Sequence, residues 1–321
     1  MTHTTGNPLA QIIEQQGFAI LDGGLATTLE SRGYDLDDEL WSARLLLEDP
    51  AAIRQVHSDY LAAGADCVIT ASYQASLEGF AKRGLDDAEA AARMRAAVDL
   101  AIQAREAFDA AQDDSSMRPK PLVAAGIGPY GAYLADGSEY TGHYDLDDAG
   151  LYAFHQERWR ILAESPADLL ACETIPSLRE AKVLLSLLAD TPGRWAWFSF
   201  SCGDGIHLHD GSRLIDAARL CAKAPQVAAI GVNCTAPRHI LSLIGELLQV
   251  TTGPIIVYPN RGETYDAVLK TWQAGESGSS WADGVHAWHA AGARAIGGCC
   301  RVGTEEIALT RRILSESACE R

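Results

Sequence analysis

Eight short runs of almost unbroken apolar residues recur along the chain, at 18–22, 66–70, 121–126, 168–172, 195–200, 227–233, 254–258 and 293–297. Runs that short, apolar throughout instead of alternating, are the pattern of parallel strands buried on both faces. Between them lie longer stretches of helical period, among them 51–63, 86–111, 178–189 and 237–250. Two strand entries share a local pattern, AAGADCVIT at 62–70 and AAGARAIGG at 290–298. In both, a glycine suited to ending a helix is followed at once by a strand. Eight strands alternating with helices predict an α/β protein, a single (β/α)8 TIM barrel over residues 1–321, with an open doubly wound sheet as the competing arrangement. The polar stretches at 113–120 and 274–280 read as loops, since neither breaks the alternation. The segment after the third strand, PYGAYLADGSEYTGHY at 129–144, is long and rich in Gly and Tyr. It is a candidate lid or binding loop, a passive surface excursion being the alternative.

Composition narrows the function. With 47% hydrophobic residues in 321, the chain can bury a sizeable core. A net charge of −17, with no block of Lys and Arg, repels phosphate backbones and anionic bilayers, so neither nucleic acid nor a membrane is the expected partner. No apolar run approaches the ~20 residues of a membrane span, and the opening MTHTTGNPLAQIIEQQG lacks the pattern of a secretory signal. The expectation is a soluble, cytoplasmic protein. In that compartment the eight cysteines are thiols or metal ligands, not disulfides. Cys67, Cys172 and Cys221 sit in apolar runs and read as buried structural thiols, while Cys319 lies in a polar tail.

A barrel presents its chemistry at the C-terminal ends of its strands. Those ends read Asp22-Gly23-Gly24, Ser72-Tyr73-Gln74, Cys172-Glu173-Thr174, Ser201-Cys202-Gly203, Asn233-Cys234-Thr235, Tyr258-Pro259-Asn260 and Gly297-Gly298-Cys299-Cys300. Three cysteines thus fall at the ends of the sixth and eighth strands, near enough to face one pocket. Adjacent residues of a regular strand point to opposite faces, so Cys299 and Cys300 reach one metal only if the chain leaves strand geometry. Gly297-Gly298 would permit that departure. Three thiolates would give Zn²⁺ a tetrahedral site with one open position; a vicinal disulfide or two inert thiols fit the same spacing. Two further motifs compete. Gly126-Ile127-Gly128-Pro129-Tyr130-Gly131 matches the dinucleotide fingerprint, but AYLADGSEYTG is a poor helix and the fingerprint needs one. His207-Leu208-His209-Asp210 matches the HxH pair of barrel metallohydrolases, without the further His and Asp ligands such sites use. His207 is expected to line the loop after the fifth strand and His209 to face solvent.

Taken together, LDGGLATTLESRG (21–33), LWSARLL (40–46), ITASYQAS (69–76), GIGPYGAYLADGSEYTG (126–142), LLACETIPS (169–177), WFSFS (197–201), GVNC (231–234), VYPNRGETYDA (257–267) and GGCCR (297–301) resemble the homocysteine S-methyltransferases. The resemblance covers nearly the whole chain, and the GVNC and GGCC pair is its most specific part. It implies transfer of a methyl group to the thiol of homocysteine, giving methionine, with Zn²⁺ held by Cys234, Cys299 and Cys300. It also implies that Asp22 and Glu173 hold the homocysteine ammonium group, with Gly23, Tyr73 and Asn233 completing the substrate-binding set. The substrate's carboxylate would rest on backbone N–H groups near Gly23-Gly24. The match is greatest with members using a sulfonium donor, S-methylmethionine and also S-adenosylmethionine. A betaine-type donor on the same barrel is the alternative, as are a metallohydrolase using His207 and His209, or a non-enzymatic zinc or sulfur-amino-acid binder. Arg261 departs from the pattern, standing where a small Ser is expected. Oligomeric state is left open.

The chemistry accounts for the residue types. A free thiol with pKa ~8.5 is only a few per cent thiolate at neutral pH, whereas a zinc-bound thiol is deprotonated outright. No general base is then required. An ammonium group needs anions beside it, and a sulfonium needs none of the machinery of acid catalysis.

Overall fold

Each apolar run is a strand in the computed structural model, which describes residues 6–36, 41–113, 118–262, 264–266, 271–273 and 280–319. In chain order these are β1 (Ala19–Ile20), β2 (Cys67–Ile69), β3 (Leu122–Ile127), β4 (Leu169–Ile175), β5 (Ala196–Phe200), β6 (Val227–Asn233) and β7 (Ile255–Tyr258). A small hairpin of β8 (Thr264–Asp266) and β9 (Thr271–Gln273) follows, then β10 (Ala293–Ile296). The hairpin is antiparallel and stands apart from the main sheet, an addition that the apolar runs did not mark.

The main sheet is parallel, in the order β1-β10-β7-β6-β5-β4-β3-β2. A parallel bridge between Leu21 and Cys67 joins its two edges. Beside it, Asp22 N–H donates to the Cys67 carbonyl at 3.0 Å and Asp66 N–H to the Ile20 carbonyl at 2.6 Å. The edges therefore meet, and the arrangement is a (β/α)8 barrel, not an open sheet. β6 and β10 flank β7, which sets the two cysteine-bearing strand ends one strand apart.

The connecting helices begin and end where local chemistry asks. Gly64 and Gly292 close the helices Pro50–Ala63 and Trp281–Ala291 with φ of 117° and 118°, a region that a side chain would strain. At the N-terminal end of the barrel the helix Pro8–Gln16 acts as a plug. Its Leu9 and Ile12 join the inner core, and Asn7 Nδ2 donates to the Ala228 carbonyl at 2.7 Å. Among the described residues no helix is long and apolar enough to cross a membrane.

Strand alternation then decides what the upper barrel contains. Leu169 and Ala171 of β4, Trp197 of β5, Ala229 of β6 and Ile256 of β7 point into the inner core. The next inward positions, two residues on, are Glu173, Ser199, Gly231 and Tyr258. The interior is apolar in its lower layers and turns polar at the C-terminal rim. The outward-facing partners, among them Cys172, Phe198 and Val232, pack beneath the helices in a separate, larger core. Cys67, Cys172 and Cys221 are all fully buried, as expected of structural thiols.

Candidate active site

Alternation along β6 turns Asn233 inward and would send Cys234 outward. The backbone breaks the pattern: Cys234 adopts φ 48°, a left-handed conformation rare for a side-chain-bearing residue. Its N–H is tied to the Tyr258 carbonyl at 3.3 Å. Past β10 the chain leaves strand geometry in a tight turn. Cys299 N–H donates to the Pro259 carbonyl at 2.9 Å, Val302 N–H donates to the Cys299 carbonyl at 3.2 Å, and Arg301 takes φ 69°. The left-handed residue is thus Arg301, not Gly297 or Gly298, whose φ values are ordinary. The two glycines serve by lacking a side chain. A Cβ on Gly298 would lie 2.0 Å from Val302 Cγ1, and one on Gly297 would lie 2.5 Å from Leu21 Cβ.

These two departures bring the Cys234, Cys299 and Cys300 sulfurs within 4.8 Å of one another. Cys300 Sγ lies 3.9 Å from both Cys234 Sγ and Cys299 Sγ. Tetrahedral ligands on ~2.3 Å bonds stand about 3.8 Å apart, so the triad fits a thiolate-bound metal with one position left for a substrate. All three are free thiols. S–H groups of Cys299 and Cys300 aimed at Cys234 hold its thiol well below the ordinary range, helped by Tyr140. The Tyr140 hydroxyl is 3.6 Å from that sulfur.

Beside the sulfurs stand two buried carboxyl groups. Asp22 is 3% exposed and accepts from Ile69 N–H at 2.8 Å, across the seam that closes the barrel. Glu173 accepts from the Tyr258 hydroxyl at 3.4 Å, and that hydroxyl accepts from Trp197 Nε1 at 3.0 Å and bonds Ser199. Gly126 makes room for the glutamate, since a Cβ there would sit 3.0 Å from Glu173 Oε1. Burial raises the carboxyl of Asp22 to about 8, and burial with the Asp22 charge raises Glu173 to about 8 as well. Two carboxyl groups that resist ionisation in this way form a pocket that a cation would relieve.

The remaining expected contacts divide. Gly23 packs so tightly that a Cβ would meet the Val302 carbonyl at 2.6 Å. Gly24 N–H is already committed to that carbonyl at 2.9 Å, so it is not open to a substrate carboxylate as expected. Tyr73 lies with its ring against Gly128 and its hydroxyl toward Thr174. Asn233 is fully buried and its amide is taken up within the protein. Its Oδ1 accepts from Thr174 N–H at 2.7 Å and Ser199 Oγ at 2.8 Å, and its Nδ2 donates to Thr174 Oγ1 at 2.7 Å. It shapes the end of β4, which carries Glu173.

The segment 129–144 arches over this rim. It contains a one-turn helix, Tyr130–Leu134, and a 3-10 turn, Ser138–Tyr140. A helix does therefore follow the GxGxxG motif, contrary to expectation, but it is only five residues long, and Gly128 is used to seat Tyr73. His207 lies on the loop after β5 as expected, part exposed and paired with Asp204 at 2.9 Å, whereas His209, expected to face solvent, packs edge-on against Tyr140 with ring centres 5.9 Å apart. Arg261 donates its backbone N–H to the Cys300 carbonyl at 3.1 Å, while its exposed guanidinium reaches Glu306 at 3.2 Å. Its other suggested partner, Glu263, and the Trp41 side chain lie outside the described residues, as do 114–117 and 274–279 of the two polar loops.

Two residues that the strand ends did not reveal hold the rim in place. Arg158, 1% exposed in the helix Asp148–Ala163, donates to the Gly128 carbonyl at 2.9 Å, to the Ser72 carbonyl at 3.1 Å and to the Tyr73 carbonyl. Glu180, fully buried in Leu178–Ala189, accepts from Tyr130 N–H at 2.6 Å, His155 Nε2 at 2.8 Å and the Tyr144 hydroxyl at 3.0 Å. It thereby pins both ends of the arch. A signal existed for both: each charge sits at helical spacing from apolar residues, Arg158 with Leu151, Phe154 and Leu162, and Glu180 with Leu184 and Leu187. Arg158→Met, which strands those carbonyls without a donor, is expected to lower stability by about 2–3 kcal/mol in a denaturant titration. An unchanged midpoint would show that the clamp is dispensable.

Residues 19–314 match the family model for homocysteine S-methyltransferase. The chain is 50% identical over 301 residues to homocysteine S-methyltransferase YbgG of Bacillus subtilis, covering 94% of this chain and 96% of that one. It is 49% identical over 303 residues to the homocysteine S-methyltransferase of Escherichia coli, covering 94% and 97%. Among solved structures, the metallated form of the Escherichia coli homocysteine methyltransferase MmuM superposes with a TM-score of 0.85 at 45% identity, over 95% of this chain and 99% of that one.

Proposed function

The chain belongs to the homocysteine S-methyltransferase family, and on that premise we propose that it is one barrel in which Zn²⁺ on Cys234, Cys299 and Cys300 presents homocysteine to a sulfonium methyl donor. The observation that carries this reading is the sulfur triad gathered within 4.8 Å beside the buried Asp22 and Glu173 carboxyl groups. The choice of zinc rests on the donor set, three soft thiolates in a tetrahedral arrangement with one open position.

Each residue then has a task. Asp22 and Glu173 take the homocysteine ammonium group, whose single positive charge and three N–H donors can bridge the two carboxyl groups and lower the cost of ionising them. The Tyr258 hydroxyl, oriented by Trp197 and Ser199, fixes Oε2 of Glu173. With its ammonium end held there, homocysteine extends its thiol toward the triad. Bound zinc would supply a site at which that thiol is deprotonated at neutral pH, so no side chain need act as a base. In the transfer the sulfur lone pair forms the new S–CH₃ bond. The donor's S–CH₃ bond breaks with its electrons staying on the donor sulfur, giving two neutral thioethers. Opposite charges cancel as the reaction proceeds, a change favoured where water is excluded, and the arch 129–144 covers this rim.

A sulfonium donor also suits the walls. Tyr140 lies against Cys234, Tyr73 lines the rim beyond β2, and aromatic faces attract cations without needing a hydrogen bond. Tyr130 and Tyr133 instead pack with Phe154, at 4.9 and 5.4 Å between ring centres, and belong to the support of the arch. The test is initial rate of methionine formation with S-methylmethionine, S-adenosylmethionine and betaine at equal concentration. S-methylmethionine is expected to be fastest, and a faster rate with betaine would overturn the donor assignment. Arg261→Ser is expected to leave all three rates within about two-fold, since its charge is screened at the surface.

A further inference from the structure

Glu139, on the 3-10 turn Ser138–Tyr140 of the arch, is neither a metal residue nor one of the homocysteine carboxylates. Its Oε2 is closed off from solvent and has no hydrogen-bond partner. Backbone N–H groups of Gly137 and of Glu139 itself face the carboxyl and fix its direction. The turn is held from below by Gly131, where a Cβ would meet Glu139 N at 2.4 Å, so this stretch cannot settle deeper. Asp136, Cys234, Tyr73, Tyr140 and Tyr144 surround the carboxyl, groups that carry negative charge or none.

A buried carboxylate oxygen without a donor is destabilising unless a ligand completes it. What would complete it is an N–H carrying positive charge. A sulfonium centre supplies charge but no N–H, whereas an ammonium group supplies both. We propose that Glu139 is the donor-side specificity residue, accepting from the α-ammonium group of an amino-acid sulfonium whose methyl group points at the Cys234 side of the site. The proposal rests on the sulfonium reading above and narrows it. Two ammonium groups are then sorted by two acidic stations, Asp22 and Glu173 in the barrel for the acceptor and Glu139 in the arch for the donor. Sulfoniums without an amino group lack the second contact.

The experiment uses the metal-loaded enzyme and two donors, S-methylmethionine and (3-carboxypropyl)dimethylsulfonium, which keeps the sulfonium, the chain length and the carboxylate but has no ammonium. Glu139→Gln is expected to raise KM for S-methylmethionine by roughly 10- to 150-fold, the loss of one charge-assisted contact. KM for homocysteine and for the desamino donor should change less than three-fold. An equal rise for both donors, or none for either, overturns the role. If Glu139→Gln fails to fold, the wild-type enzyme answers with N-acetyl-S-methylmethionine, which keeps the sulfonium and removes the ammonium charge. A KM equal to that of S-methylmethionine sinks the proposal there too. Failure of the underlying reading looks different, since the wild-type enzyme would then transfer no methyl group from any sulfonium.

Discussion

Replacing Cys234, Cys299 or Cys300 by Ser is expected to leave well under one metal ion per chain and to abolish methyl transfer. The three sulfurs converge from two strand ends that each break regular geometry to reach one another, by a left-handed Cys234 on one side and the turn closed by Arg301 on the other. A serine keeps the shape but offers a hard, protonated oxygen in place of a soft thiolate, and with two sulfurs left the site no longer has three anionic ligands. Outer partners of metal sites are typically worth ~10–100-fold in affinity or activity, so losing a ligand should exceed that range. Tyr140→Phe, which removes a hydroxyl 3.6 Å from Cys234 Sγ, should fall within it. Cys67→Ser and Cys221→Ser supply the contrast: both thiols are fully buried far from the triad in function, so stability should drop modestly while metal content holds. Metal content by elemental analysis and methionine formation by chromatography read both quantities. Full activity in chelator-treated enzyme that contains no metal would remove the metal from the mechanism.

The barrel was legible because its signal is cumulative. Apolar runs at 18–22, 66–70 and 293–297 are each ambiguous alone, yet eight of them at regular spacing leave few topologies. The site was legible for a related reason: a barrel confines chemistry to strand ends, and Cys234, Cys299, Cys300, Asp22 and Glu173 all stand there. What escaped the pattern depends on direction, which spacing does not carry. Cys234 reaches the triad through a backbone angle that no sequence period encodes. Asn233 stands at a strand end too, but its amide turns to Thr174 and Ser199. His207 and His209 sit on a loop, where a two-residue spacing fixes no common face, and only the fold determines that His209 is the one that meets Tyr140. Arg158 and Glu180 were hidden because they lie on helices, whose role in a barrel is usually support. Here the support includes the placement of the rim itself.

Glu173→Gln and Asp22→Asn should each weaken homocysteine binding while making the ligand-free protein more stable at alkaline pH. Both carboxyl groups are pushed by burial from ordinary values near 4 to about 8, with the Asp22 charge adding to the effect at Glu173. Because the folded state holds these protons more tightly than the unfolded chain, it binds more protons between about pH 4 and pH 8. Stability therefore falls as pH rises through that window and is level beyond it. An amide neither titrates nor requires a counter-charge, so each variant should flatten part of that slope and gain on the order of 1–3 kcal/mol at pH 8.5. Binding moves the other way. The substrate ammonium group finds one neutral oxygen where it had an anion, a loss of ~2–3 kcal/mol or roughly 30- to 150-fold in KM for homocysteine. The donor KM and the metal content should stay as they were. The opposite signs separate a substrate-binding role from a structural one, because a carboxyl group that merely braces the barrel would cost stability when replaced. Urea titrations at pH 6 and pH 8.5, together with homocysteine KM for each variant, supply the comparison. A variant that loses stability at pH 8.5 while keeping the wild-type KM would show that its carboxyl group serves the fold and not the substrate.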